Sequence, residues 1–561
     1  MNKTFKVVFN KVRGALIAVN EATSSVQKKG TKTVVAAVAC LATGVAFAAV
    51  DPNDAQYVGK GAFVTWNGDA PSAPDANPIV MTGAQAQAIG SGNWVSVVRS
   101  RVGATGTMNN LDINLTAKGP NSTPKPDGQL IMVHSHGGTI NFGGDKLNVV
   151  ATTDFIGGGN NQLAAIYSQA DAGNSMGISA QKVNIDLAST ASDGKSIYGV
   201  SSLGGKVNIT SDVLNIKLKT STERSGTTQY SETAGISAGT YGNYEKYRGY
   251  VGDITTSANT AVDVNVESTT AMATKPNNDT EFGGGSPVFG IRSEGGSVNL
   301  AGTNKVTATA NGADARGVYA VNYAYNSTLG LQKFNSEVTV NNLTAKVTSK
   351  TGKAYGVHAK NNADLNTVAV NLTGDVDISA SSTNSQGIYA DGKNVKMDVG
   401  EDGKTVSIIA TGKDGRGIMT DTGAVLNVKG SSITVSATDE SGRGISAWDG
   451  STINIGNEQT ETVKVDGNDA GIMSVAKGAT VHVVSKKIVV NSSNFGVHVQ
   501  NNTETPDAPT EHATVKLKAD EITINSKSLG LSAFSNGQMD LESRRIHTSL
   551  NLSEAEFLNL P

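Results

Sequence analysis

The chain has 561 residues, with 49 acidic and 46 basic side chains and a formal net charge of -3. So even a balance argues against nucleic acid or an anionic membrane as the main partner. Glycine is abundant at 64 residues, aromatics make up 5% and charged residues 17%, which suits many short strands and tight turns better than packed helices.

The first 48 residues set the compartment. A basic patch at Lys28, Lys29 and Lys32 precedes an apolar run from Val34 to Phe47, which closes as Ala46-Phe47-Ala48. Basic flank, short apolar core and Ala-x-Ala make a secretory signal peptide, cleaved after Ala48 and before Ala49. The run is too short for a bilayer span of roughly 20 residues. Cys40, the sole cysteine, lies inside the signal. The mature chain is therefore expected to have no disulfide and to need a long, regular core. A lipid-modified Cys40 is disfavoured, because Ala37-Val38-Ala39 lacks the leucine such a site usually has.

Some 30 residues stand ahead of this signal, more than an ordinary one needs. They contain Met1-Asn2-Lys3, Phe5, Val8-Phe9-Asn10 and Ala18-Val19-Asn20-Glu21. These elements resemble the extended signal peptide region of Gram-negative type V secretion proteins, with Phe9 where that family more often has Trp. The resemblance implies an autotransporter-like or two-partner-secreted exoprotein. It would cross the inner membrane and act at the cell surface or in the medium.

Residues 49–90 carry Pro52, Pro71, Pro74 and Pro78 and no clear repeat, so an N-terminal cap or loose arm is expected there. Residues 91–546 are expected to be the repeat region, and within it a tetrapeptide recurs: Gly, a large aliphatic residue, any residue, then usually a small one. It begins at Gly177-Ile178-Ser179-Ala180 and Gly199-Val200-Ser201-Ser202 and ends at Gly530-Leu531-Ser532-Ala533. Glycine-to-glycine spacings run from 22 to 55 residues, the period of a solenoid. Each period adds two further alternating segments, as in Ser451-Thr452-Ile453-Asn454-Ile455 and Thr462-Val463-Lys464-Val465.

The pattern predicts an all-β parallel β-helix with three strands per coil, right-handed by the chirality of strand crossovers. About fourteen or fifteen coils at about 4.8 Å each would give a rod on the order of 70 Å long. The second tetrapeptide position should point inward, as should the small fourth one, while the third points outward. The glycine should serve a positive φ or a close approach at a corner. The largest insertion falls between Gly235 and Gly290.

Catalytic patterns mostly fail. Gly173-Asn174-Ser175-Met176-Gly177 fits the Gly-x-Ser-x-Gly nucleophile pattern but without a strand–turn–helix context. Gly285-Ser286-Pro287 resembles the tail of a secreted serine-protease motif, yet Gly284 stands at the nucleophile position. Gly194-Lys195-Ser196 and Gly403-Lys404-Thr405 lack the earlier glycine of a phosphate loop, which is Ser189 or Asp398. His134-Ser135-His136 would put two imidazoles on one strand face, and without a third ligand nearby they read as solvated histidines. No cofactor, metal or catalytic set is expected.

Two surfaces are candidates for binding. Tyr241, Tyr244, Tyr247 and Tyr250 sit in the longest insertion, where aromatics give large contact area at modest entropic cost. The outward residues Arg292, Tyr319, His358 and Tyr389 would stack into a stripe for sugars or a protein surface.

By the resemblance, the chain reads as an autotransporter passenger, acting as an adhesin or aggregation factor. Its expected partners are a host-surface protein or glycan, or another cell through self-association, besides the export machinery and an outer-membrane barrel. The other reading is a secreted polysaccharide lyase or glycosidase, which would need paired carboxylates on one outer face. The stretch 547–561 shows no translocator barrel, so a fragment, or export through a separate pore, is expected from sequence.

Overall fold

A computed structural model describes residues 5–10, 15–20, 62–66, 79–82, 94–101, 105–117, 129–153, 162–169, 175–190, 196–221, 232–240, 250–270, 286–327, 330–361, 366–501 and 511–550. The chain divides into two units, Met1–Ala46 and Phe47–Pro561. In the first, Phe5–Asn10 and Ala15–Asn20 form an antiparallel pair. The cleavage residues Ala46, Ala48 and Ala49 lie outside the described residues.

The second unit is a parallel β-helix. Alternation of one apolar with one polar residue dictates strands with a single buried face, and in this unit such strands recur with nearly every pairing parallel. They form three stacks, so each coil contributes three strands. One stack is a 15-stranded sheet that begins at Ala62–Trp66, ends at Leu529–Phe534, and contains the repeat glycines. The other two share a 25-stranded sheet, because strands such as Ser336–Ser349 and Val368–Ser381 run from one stack into the next. Strands Ala62–Trp66 and Ile79–Thr82, inside the stretch expected as a cap, already pair in parallel with Trp94–Arg101 and Asp112–Ala117.

The aliphatic position of the tetrapeptide points inward. Val318, Val357, Ile388, Ile418 and Ile445 lie in register and are wholly buried. β-Branched side chains suit that continuous buried ladder. The fourth position also faces inward, where Ala320, Ala359, Ala390 and Ala447 fill less depth.

The glycine serves close approach rather than positive φ. A Cβ on Gly235 would come within 2.2 Å of Val264 Cγ1 and 2.7 Å of the Gly290 carbonyl oxygen. Positive φ falls instead on turn residues such as Asn384, Asn394 and Asp414, side chains that tolerate the left-handed region.

One tetrapeptide is not part of the repeat. Gly177 and Ile178 belong to strand Ser175–Ile178, which pairs with Thr139–Gly143 and Lys206–Ile209 in the 25-stranded sheet. The equivalent of the glycine strand in that coil is Gln162–Gln169, where Ala165-Ile166-Tyr167-Ser168 takes the tetrapeptide's place. Gly177 matches the motif by composition alone.

Candidate functional site

The repeat glycine drops out of the strand register. Tyr198 pairs with Ala234 and Val200 with Ile236, while Gly199 and Gly235 between them pair with nothing. Where the ladder lapses at this residue, without a shift of register, two consecutive residues, the glycine and the aliphatic one, face the core. The residue before the glycine is thereby turned outward, as is the third position. The outer face of the glycine stack therefore carries two columns of side chains, not one.

Arg292, Tyr319, His358 and Tyr389 do stack in one column. They do not form a solvent-facing stripe. Tyr319 is 1% exposed and His358 4%, and the Arg292 side chain is 14% exposed. The second column explains much of this. Phe289, Arg316 and Tyr355 precede repeat glycines and interleave with the first column. Arg316 lies 5.7 Å from the Phe289 ring centroid, 4.9 Å from that of Tyr319 and 4.8 Å from that of Tyr355. Tyr355 stacks on His358 at 4.6 Å, and His358 on Tyr389 at 5.0 Å.

Charge in this outer core is paired. Arg316 donates to Asp314 at 3.1 Å and, through Nε, to His358 Nδ1 at 3.2 Å. Burial, and then the Arg316 guanidinium, hold His358 well below its ordinary pKa, so the ring is neutral. Burial pushes the Tyr355 hydroxyl up to about 12. Arg292 donates to Glu232 and Glu294, and Tyr198 donates to Glu232 at 2.5 Å. Burial opposes the Arg292 charge, but the two glutamates outweigh it and its pKa rises. The arrangement is a structural lock on the outside of the coil.

Of His134-Ser135-His136, the first histidine is not solvated and the second is half-buried. His134 is wholly buried, with Nδ1 3.0 Å from Ser96 Oγ and Nε2 3.2 Å from Gln169 Oε1. Arg99 donates to His136 Nδ1 at 2.8 Å. Among the described residues no three metal-type ligands gather. Of the tyrosine group, Tyr241, Tyr244 and Tyr247 lie outside the described residues; Tyr250 is half-buried and its carbonyl accepts from Thr240 Oγ1 at 3.0 Å.

The outer face opens toward the later coils, where Tyr389, Arg416, Met419, Arg443 and Trp448 are only half-buried. Arg443 lies 5.9 Å from the Trp448 ring centroid and donates to Asp469 at 2.9 Å. At the end of these strands Asp391 and Asp421 stand in register on successive coils. Burial raises the Asp421 carboxyl above its ordinary value, and Asp391 and Asp449 add to it. Burial, and then Asp391, raise the Tyr389 hydroxyl as well. Aligned carboxylates thus exist at the fifth position, one place beyond the tetrapeptide, where the repeat pattern gave no reason to look. Aromatic faces, guanidinium groups and carboxylates meet here on a half-open surface, the chemistry that recognises hydroxyl-rich or mixed apolar and polar partners.

Elsewhere the outward positions are polar and repeat from coil to coil. Asn454 donates to Asn427 at 2.9 Å and Asn427 to Asp398 at 2.7 Å. A second run joins Asn184 to Asn148 and Asn148 to Asp112, each at 2.8 Å.

The fold defines a class, parallel β-helical proteins, and comparison with known proteins narrows it. Residues 1–50 match the family model of the extended signal peptide of the type V secretion system. No curated protein and no solved structure gives a match. The chain is autotransporter-like, carrying a type V secretion signal that directs export across the inner membrane of a Gram-negative bacterium.

Proposed function

We propose that the β-helix is a passenger that works at the cell surface or in the medium as an adhesin or aggregation factor. One observation carries this reading: outward polar residues repeat in register over consecutive coils, as in Asn454, Asn427 and Asp398. A ladder of like groups offers the same weak contact many times, and such contacts add through effective concentration. The half-open patch of Tyr389, Met419, Arg443 and Trp448 supplies a stronger anchor on the same unit. The partner is a host-surface protein or glycan, or the same protein on another cell.

The test is to export the chain from a non-adherent strain and measure attachment to host cells, to immobilised glycans and to sister cells. Attachment that drops in Trp448→Ala, with an unchanged circular dichroism spectrum, supports the reading. No attachment in any format overturns it.

The enzymatic reading keeps one observation in its favour, the stacked Asp391 and Asp421 with a raised Asp421 carboxyl. Glycoside hydrolysis uses a pair of carboxyl groups, one of them an acid with a raised pKa. Release of reducing ends from a polysaccharide, abolished in Asp421→Asn, would favour this reading over adhesion.

A further inference from the structure

Three arginines on the outer face of the glycine stack hold carboxylates: Arg292 holds Glu232 and Glu294, Arg316 holds Asp314, and Arg443 holds Asp469. Arg416 does not. It stands in register with Arg443 on the next coil, and among the described residues no carboxylate pairs with it. Asp414 precedes it by two residues, as Asp314 precedes Arg316, but Asp414 takes a positive φ of 59° and offers only its backbone carbonyl, 3.2 Å from Arg416 Nη1. Burial, and then Arg443, lower the Arg416 pKa, as befits a cation short of counter-charge. Arg443 gives Asp469 only its Nε, so its two Nη groups remain available.

Other polar atoms around the two guanidinium groups also lack partners. Gln386 continues the column on the preceding coil, in register with Arg416. It is 6% exposed, and its Oε1 accepts no hydrogen bond. Arg416 Nε and Trp448 Nε1 are buried and donate to nothing. Buried polar atoms left unpaired cost stability, and a ligand that supplies their partners recovers it. The stacked Asp391 and Asp421 lie at the other end of these strands, beyond Tyr389 and Met419, so the acidic and basic groups of this face stand apart.

We propose that Arg416 and Arg443 take the anionic group of an acidic glycan, a carboxylate or a sulfate ester, between the rings of Tyr389 and Trp448, with Gln386 Oε1 accepting from a sugar hydroxyl. This names the ligand of the half-open patch and rests on the adhesin reading. A guanidinium offers an oxyanion two parallel N–H donors, and two guanidinium groups on coils about 4.8 Å apart offer two such forks to one ligand. Aromatic rings beside them supply apolar surface for the faces of the sugar. A neutral glycan would leave the Arg416 charge uncompensated.

The exported full-length chain is titrated against immobilised dextran, carboxymethyl-dextran and dextran sulfate, which share one backbone. It should bind at least one charged polymer and not dextran, and the polymer it prefers separates carboxylate from sulfate. Arg416→Gln should raise the dissociation constant at least ~10-fold. Arg416→Lys keeps the charge without the fork and should fall between the two, an arm that stands even where Arg416→Gln disturbs folding. Lys346→Gln removes the same charge from an exposed position on the 25-stranded sheet and should change nothing. Equal binding to all three polymers, binding to none, or equal losses in Arg416→Gln and Lys346→Gln would overturn the proposal. The adhesin reading fails by a different result. Attachment to host cells that persists in Arg416→Gln and under excess dextran sulfate removes this site and leaves the adhesin; binding to a charged polymer that Arg416→Gln abolishes, without attachment to any cell, keeps the site and counts against the adhesin.

Discussion

Substituting Gly356 by alanine tests the argument about the repeat glycine most directly. The added methyl would sit 2.1 Å from Ile378 Cγ2 and 2.5 Å from the Gly387 carbonyl oxygen. Ile378 is a wholly buried side chain, and Gly387 is backbone held between neighbouring coils. Neither can yield cheaply, so the cost should fall near the upper end of overpacking, about 3 kcal/mol. Gly530 occupies the same motif position, but a methyl there would meet only Ile524 Cγ2, at 4.0 Å. Gly530→Ala should therefore be neutral, or stabilising by about 0.4–1 kcal/mol through the unfolded chain. Solenoids open coil by coil, so the assay is hydrogen exchange on strands Ala354–Lys360 and Gln386–Asp391 rather than a global melt. Their amides should exchange roughly 100-fold faster in Gly356→Ala. Equal effects at the two glycines would refute close approach as the reason for the residue.

Three further outcomes are expected. Ile472→Ala, at a wholly buried rung, should cost about 2–5 kcal/mol and loosen exchange mainly in its own and adjoining coils. Arg316→Ala removes the cation between three rings and leaves Asp314 buried at 5% exposure without it, a loss of about 3–5 kcal/mol read by the same exchange profile. His358 is neutral when folded because its pKa is depressed below the ordinary 6.5, whereas the unfolded chain binds a proton below that pH. Stability should therefore be full above about pH 6.5 and fall as pH drops beneath it, and His358→Gln should flatten that slope in denaturation measured from pH 7 to 5.

Much of the fold was legible because stacking imposes a pattern that survives variation in loop length. The aliphatic position, from Val200 to Val497, is read from sequence and found in one buried ladder. The burial of the outer stripe escaped the sequence for a geometric reason. Strict alternation assigns the residue before the glycine to the interior, but the glycine and the aliphatic residue both face inward, and this reverses it. Phe289, Arg316 and Tyr355 thereby join Tyr319 and His358 on the outside, and a stripe expected to face solvent becomes a second core. Gly177 shows the opposite error: a four-residue motif is short enough to recur by chance, and only the strand pairing separates it from the true repeat. The aligned Asp391 and Asp421 were missed because they lie one residue beyond the window in which the repeat was compared.

The strand register also bears on how such a chain can change. Val213 is paired to Ala261 across a long stretch of intervening chain, and Val463 to Ile488 across a short one, yet both pairs occupy the same rung geometry. The rungs do not record how much sequence lies between them. A new loop can therefore be added at a corner without disturbing the ladder, provided its ends return to the same two positions. The surface of the molecule and its core can thus evolve at separate rates: substitutions on the rungs are constrained by the neighbours above and below, while corners are free to acquire new contacts.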